Sequence, residues 1–280
     1  MSGELKPIRL DARNPSPMTG AGNSSYLLAG PGDSATLIDA GVGEPDYLGD
    51  LDRLLRAHRL RLDHVLVTHA HADHASGAPA IAAAHPGSRF HKYPWPDEDG
   101  KHAVRWEPVA DGMMFDAPGG PLLAVHTPGH SPDHLAFWHE ASRTIFSGDL
   151  VVLGSSVMIE SSRGGSLLQY MASLERLITF HAAVLLPAHG PAITTPDTVL
   201  RAQLNHRRRR EQQVIAALGA GHDTVPSIAE SIYDGLIPAL LPAAQENVRA
   251  HLEKLASEGR ASEHSARWTL IWTTSSTSST

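Results

Sequence analysis

The chain has 280 residues, 41% of them hydrophobic and 19% charged, enough material for one large globular domain or a main domain with a small companion. Its formal charge of −7 is unevenly placed: residues 205–280 carry eight basic and eight acidic side chains, so the acidic excess lies wholly in residues 1–204 and argues against a broad electrostatic grip on nucleic acid. With no cysteine, disulfides and thiolate metal ligands are excluded, and any metal has to be held by nitrogen and oxygen.

The opening "MSGELKPIRLDARNPSP" offers no apolar run for a signal sequence, and no later stretch approaches the roughly 18 consecutive apolar residues of a membrane span. A cytoplasmic enzyme is the expectation. "SSYLLAG" (24–30) and "SATLIDAG" (34–41) read as a hairpin around "PGD". "DYLGDLDRLLRAHRL" (46–60) repeats Leu48, Leu51, Leu54 and Leu55 at helical spacing. "LDHVLVTHA" (62–70) is a β-branched run, hence a buried strand, and "ASGAPAIAAAHPG" (75–87) a helix of small residues. "PLLAVHTPGH" (121–130), "DHLAFWHE" (133–140) and "RTIFSGDL" (143–150) form a second β-rich part. "SLLQYMASLERLITF" (166–180) is a helix with Leu167, Tyr170, Met171, Leu174 and Leu177 on one face, and "AAVLLPAHG" (182–190) another buried strand.

From residue 205 the character changes. "NHRRRREQQVIAALGAG" predicts a helix stopped by glycine, "VPSIAESIYDG" and "PAAQENVRAHLEKLASEG" two more, and "RASEHSARWTLIW" a strand pair. Three helices and a β-wing form a winged-helix pattern. The expected division is a main domain over 1–204, a winged-helix-like domain over 205–272 and a disordered low-complexity tail over 273–280.

The 18 histidines exceed what a core needs, and they cluster. Four buried-looking strands end in metal-binding side chains: "VLVTHAHADH", "AVHTPGH", "TIFSGD" and "VLLPAHG". Strand ends of a layered sheet protein open onto one edge, so these residues can converge, and a nitrogen–oxygen set of this kind suits zinc, with manganese or iron possible. In "HAHADH", His69 and His71 alternate and can point together, while Asp73 and His74 lie past the turn and address a neighbouring position. One motif can feed two metals, and Asp149, with two oxygens, could bridge them.

Together "THAHADH", "TPGHSPDH", "FSGDL" and "PAHG", with "LIDAG" upstream, resemble the metallo-β-lactamase-fold hydrolases across about residues 20–200. The resemblance implies an α/β (α+β) fold of the αββα sandwich type. It assigns His69, His71 and His130 to one metal, Asp73, His74 and His189 to a second, and Asp149 to both. Asp39 would support a ligand, a reading that stands level with an ordinary turn cap before Gly41. The implied chemistry is hydrolysis by a hydroxide held between two zinc ions, with Asp73 orienting it or relaying its proton. No cysteine occupies the bridging-aspartate position used by many lactamase members, which lowers antibiotic hydrolysis, and the long insert of the β-CASP nucleases is missing.

The C-terminal segment is similar to that of the lactamase-beta-like protein two subgroup. This points to phosphodiester bonds of single-stranded RNA or small phosphodiesters, with thioester or other acyl hydrolysis, of the glyoxalase II or polyketide type, as the alternative. A mononuclear iron oxygenase of the persulfide-dioxygenase type is a third reading, against which the retention of His74 and His189 speaks, and a DNA-binding regulator a fourth, disfavoured by the neutral 205–280 segment. His134 either lines the pocket or is an ordinary strand histidine. Arg207, in the run 207–210, contacts substrate only if that run borders the cleft and otherwise belongs to a solvated helix face. Ser24, Ser25, Tyr26 and Tyr170 are expected to pack in the core, and His58, His85, His91 and His102 to lie at the surface.

Overall fold

A computed structural model describes residues 4–16 and 19–271, so the tail expected at 273–280 lies outside the described residues. Six strands make the first sheet in sequential order: β1 (Ile8–Asp11), β2 (Ser24–Ala29), β3 (Ser34–Ile38), β4 (Arg61–Leu66), β5 (Arg89–Lys92) and β6 (Trp106–Pro108). The expected hairpin is β2–β3, while β3 to β6 pair in parallel. Parallel neighbours need crossovers, and α1 (Pro45–His58), α2 (Ala72–Ala75), α3 (Ala78–Ala84) and α4 (Pro96–Asp99) lie in them. Five further strands, β7 (Met114–Phe115), β8 (Leu122–His126), β9 (Leu135–His139), β10 (Thr144–Gly148) and β11 (Val184–Pro187), form the second sheet in reverse order, with α5 (Leu167–Ile178) between β10 and β11.

Side-chain alternation sorts these strands into layers. Tyr26, Leu28 and Ile38 of the first sheet meet Leu122, Ala124, Leu135, Phe137 and Phe146 of the second in a central core. Leu27, Leu37 and Val65 point the other way, onto Tyr47, Leu51 and Leu55 of α1 and Ile81 of α3. Val125, Ala136, Trp138 and Ile145 face outward from the second sheet and take up Leu167, Tyr170, Leu174 and Leu177. The result is an αββα sandwich. In α1 the buried stripe is Tyr47–Leu51–Leu55, at i, i+4, i+8, with Leu48 and Leu54 only partly buried at its flanks.

The helix expected from residue 205 begins earlier. α6 runs unbroken over Pro196–Gly219, with Pro196 in its first turn, where proline's missing N–H is harmless. Its first half, through Leu200 and Leu204, belongs to the sandwich; Val214 and Ala217 in its second half join Ile228, Val248, Leu252, Leu255 and Trp268 in a separate core. That core is completed by α7 (Val225–Ile232), α8 (Leu241–Ser257) and the wing β12 (Ala261–His264) with β13 (Arg267–Leu270). The apolar period alone hid the start, because polar residues dominate the middle of α6.

One surface expectation is corrected. His91 is 3% exposed: it lies on the buried strand β5, where its Nε2 is 2.9 Å from Nδ1 of His64. Ser24, Ser25, Tyr26 and Tyr170 are buried. The Tyr26 hydroxyl donates to the Pro187 carbonyl at 2.8 Å, one of several bonds that stitch the two sheets together. Others run from Ser24 N to Ala188 O and from Leu135 N to Thr68 O, each 2.7 Å. This seam is where the histidine-bearing strand ends gather.

Candidate metal centre

Asp39 follows β3, His69 to His74 follow β4, His130 sits in the loop between β8 and β9, Asp149 follows β10, and His189 follows β11. Two groups of side chains form at this edge. His69, His71 and His130 make one; Asp73, His74, Asp149 and His189 make the other. Nδ1 of His71 lies 3.0 Å from Nε2 of His69 and 2.9 Å from Nε2 of His130. In the second group, Asp73 Oδ2 and Asp149 Oδ1 each stand 3.3 Å from His189 Nε2 and 3.4 Å from His74 Nε2. The other oxygen of Asp149, Oδ2, reaches 3.6 Å from His130 Nε2, so this carboxylate addresses both groups.

Hydrogen bonds behind the rings fix which nitrogen faces inward. Asp39 Oδ2 lies 2.8 Å from Nδ1 of His74, and Asp39 Oδ1 accepts the backbone N–H of Thr68 at 2.7 Å. The Thr68 hydroxyl donates to Asp39 Oδ2 at 3.1 Å and accepts from Nδ1 of His69 at 3.0 Å. His130 donates from Nδ1 to the Met158 carbonyl at 2.9 Å. These bonds turn Nε2 of each of His69, His74 and His130 inward, the nitrogen that would meet a cation. Asp39 achieves this from a left-handed backbone (φ 63°), a conformation unusual for a non-glycine residue but open to aspartate, at the point where β3 ends.

His134 does not line the cleft. It is fully buried, accepts the Asp149 backbone N–H on Nε2 at 3.1 Å and turns Nδ1 to the Thr127 hydroxyl at 2.8 Å. Its role is to hold the main chain of Asp149. Gly148, just before that aspartate, has φ 50°, and a Cβ there would fall 2.6 Å from His134 Nε2. Only glycine fits.

Arg207 does not border the cleft either, and it does not lie on a solvated face: it is fully buried. Two others of the run have partners, and Arg209 is exposed. Arg208 pairs with Glu175 at 3.0 Å, and Arg210 stacks 4.2 Å above the Tyr233 ring. Thr68, the Met158 carbonyl and the bond from the Asp149 N–H to His134 are contacts at this edge that no sequence pattern announces. Thr68 stood inside the quoted motif; Met158 acts through its carbonyl, which no side-chain pattern reveals.

Both groups fit cations. Burial, then the neighbouring imidazoles, pushes the His69 ring well below its ordinary value; burial and His130 bring His71 down to about 3. Ring nitrogens brought this close need a cation or a shared proton between them; a tetrahedral ion with bonds of about 2.0–2.1 Å would hold such nitrogens about 3.3 Å apart. In the second group, burial opposes charge on Asp73, but His74 and His189 hold its carboxyl below the usual range. Burial also opposes protonation of His189, yet bonds to Asp149 and Asp73 raise it to about 10. His74 Nε2 and Asp149 Oδ1 are buried without a hydrogen-bond partner among the described residues. His69 and His74 are sealed, whereas Asp73, with a side chain 21% exposed, stands at the open lip.

Comparison with known proteins agrees with this geometry. The profile described as "Metallo-beta-lactamase superfamily" matches residues 18–189, and that described as "Beta-lactamase associated winged helix domain" matches 224–268. The chain is 35% identical over 247 residues to "Lactamase-like protein vrtG" of Penicillium aethiopicum, covering 84% of this chain and 76% of that one. It is 31% identical over 265 residues to "Beta-lactamase-like protein 2 homolog" of Drosophila melanogaster (90% and 88% covered). A relative from Emericella nidulans, "Atrochrysone carboxyl ACP thioesterase", is 34% identical over 202 residues, 71% of this chain and 61% of that protein. Among solved structures, a metallo-beta-lactamase family protein from Thermus thermophilus superposes with TM-score 0.76 over 95% of this chain and 98% of its own at 20% identity. TTHA1623, solved in a di-iron-bound form, gives TM-score 0.54 at 29% identity, with 68% of this chain and 94% of that one covered. The chain belongs to the metallo-beta-lactamase superfamily, as a hydrolase-fold member carrying the associated winged-helix domain.

Proposed function

We propose that this protein is a dinuclear-metal hydrolase acting on thioesters or related acyl compounds. The observation that carries the two-metal reading is the split carboxylate of Asp149, whose Oδ1 stands within the second group while Oδ2 turns toward His130 of the first, 3.6 Å away. The zinc expectation stays open to iron or manganese, since nitrogen and carboxylate donors accept all three and the TTHA1623 structure is a di-iron form. Cations seated here would acidify a water and polarise the substrate oxygen. His69, His71 and His130 would hold one, His74 and His189 with Asp73 the other. We assign to Asp73, at the lip, the orienting of that water, since a carboxylate held below the usual range accepts a hydrogen bond without retaining the proton. His69 and His74, sealed behind, exclude solvent from the rear of the centre.

The acyl reading is preferred to the phosphodiester one because Arg207, the arginine the sequence put forward for substrate, is buried away from the cleft, while Arg208 pairs with Glu175 and Arg210 stacks on Tyr233. The relative named as an acyl-carrier-protein thioesterase supports the same choice. None of the described helices is long and apolar enough to cross a membrane. The test is a metal-loaded panel run side by side on an acyl thioester, bis-aryl phosphate, single-stranded RNA and a lactam, with His130→Ala as control. Thioester turnover above the others, lost in the control, is expected. Preferential RNA or phosphate cleavage would overturn the acyl choice, and a single iron with oxygen consumption would overturn the hydrolase.

A further inference from the structure

His130 is the one imidazole of its group carried on a loop away from "HAHADH", and its ring direction depends on a carbonyl in another irregular segment. Between Asp149 and α5 the chain has regular structure only at the short turn Ser161–Arg163. The Met158 carbonyl that receives His130 Nδ1 lies in that segment, with no sheet to fix it. Helices α6 and α8 do so instead. Gln203 Nε2 donates to the Ser155 carbonyl at 2.6 Å, Glu246 accepts the Ser162 N–H at 3.3 Å, and Arg207 Nη2 donates to the carbonyl of Val157, the residue next to Met158.

Arg207 is the centre of this arrangement. Its Nη1 donates to Asn247 Oδ1 on α8 at 2.8 Å, and its guanidinium carbon lies 5.2 Å from the centroid of the Tyr170 ring. Tyr170 in turn donates its hydroxyl to the carbonyl of Leu150, which follows Asp149, at 2.9 Å. Gly129, beside His130, packs so closely on α5 that a Cβ would fall 2.3 Å from the Tyr170 backbone. These partners of Arg207 are neutral, and its Nε has no hydrogen-bond partner among the described residues. A guanidinium buried on such terms is unfavourable beside an apolar chain of similar volume. It does what that chain cannot, offering rigid, divergent donors to two lobes at once.

We propose that Arg207 is a positioning residue through which the winged-helix lobe holds the Val157–Met158 backbone, and thereby the His130 imidazole, in its metal-binding direction. This rests on the reading that both groups seat cations, and the experiment separates the two. Full-length wild type, Arg207→Met, Arg207→Lys and Asn247→Ala are loaded with Co2+. Site affinities are read by chelator competition and visible absorption, with thermal unfolding of the metal-free proteins measured alongside.

In Arg207→Met the cation of the His69–His71–His130 group should bind roughly 3–10-fold more weakly, below the 10–100-fold of losing a ligand's direct outer partner because the Met158 carbonyl remains. The Asp73–His74–His189 group should be unchanged. Lysine should restore part of the loss, and Asn247→Ala should show a smaller loss at the same group. Equal weakening of both groups, or wild-type affinity in Arg207→Met, overturns the assignment. If the methionine variant does not fold, wild-type behaviour of both other variants overturns it. A wild-type chain that takes up no cation would sink the proposed function itself, and this assignment with it.

Discussion

The strand-end cluster of the sandwich and the winged-helix lobe treat a buried imidazole in opposite ways. In the sandwich, His69, His74 and His130 each have the outer ring nitrogen tied to Thr68, Asp39 or Met158, so that the inner nitrogens converge. In the lobe, His251 is fully buried with neither ring nitrogen hydrogen-bonded among the described residues, and burial among cations, Arg207 foremost, pushes it down to about 3. Burial of an imidazole therefore says little by itself. What His69, His74 and His130 have and His251 lacks is an anchored outer nitrogen and an inner one turned toward other polar side chains.

Substitutions can break that contrast. The largest effect is expected from Asp149→Ala, which removes the carboxylate common to both groups. Hydrolysis should fall by several kcal/mol of barrier, about 10³-fold or more, with metal content reduced at both groups by elemental analysis. Retention of two full equivalents would show that the carboxylate is not shared.

Next is His251→Leu. The buried neutral imidazole has a folded value below its unfolded 6.5, so the unfolded chain binds the extra proton and stability falls as pH drops from about 6.5 toward 3. By pH 4 the wild type should have lost on the order of 3 kcal/mol through this group, a loss the leucine variant escapes. Urea titrations at pH 7 and pH 4 check this, and parallel behaviour of the two proteins would contradict it.

The smallest effect is Asp39→Asn. An amide can keep the Thr68 contact but holds the His74 proton less strongly, so metal affinity should weaken by about 10–100-fold, the range for a lost carboxylate behind a ligating imidazole. Unaltered affinity by chelator competition would return Asp39 to the role of a turn cap.

Much of the centre is legible in the amino-acid sequence. Strand-like runs ending in His69, Asp149 and His189 carry local signals, and a layered sheet brings such ends together. The β2–β3 hairpin and α5 likewise follow from turn residues and apolar spacing. Asp39 could be read two ways until its carboxylate was found on His74. What escaped was long-range. Nothing near Arg207 announces a partner 50 residues away at Val157, and a run of four arginines looks like a solvated face. His91 was misplaced because β5 is only four residues long and Phe90 is its single apolar member, so no alternation marked the histidine as interior. The start of α6 was obscured because a helix that serves two cores in turn has no single apolar stripe.

The continuity of α6 bears on how this protein can be taken apart. No flexible joint separates the lobes along it, so a cut at 204 would sever a helix in mid-course. A fragment ending at residue 189, where the family match stops, would strip Leu200 and Leu204 from the outer face of the second sheet. The recognisable segment is thus shorter than the smallest piece with an intact hydrophobic covering, and the winged helix is better regarded as a buttress than as a detachable passenger.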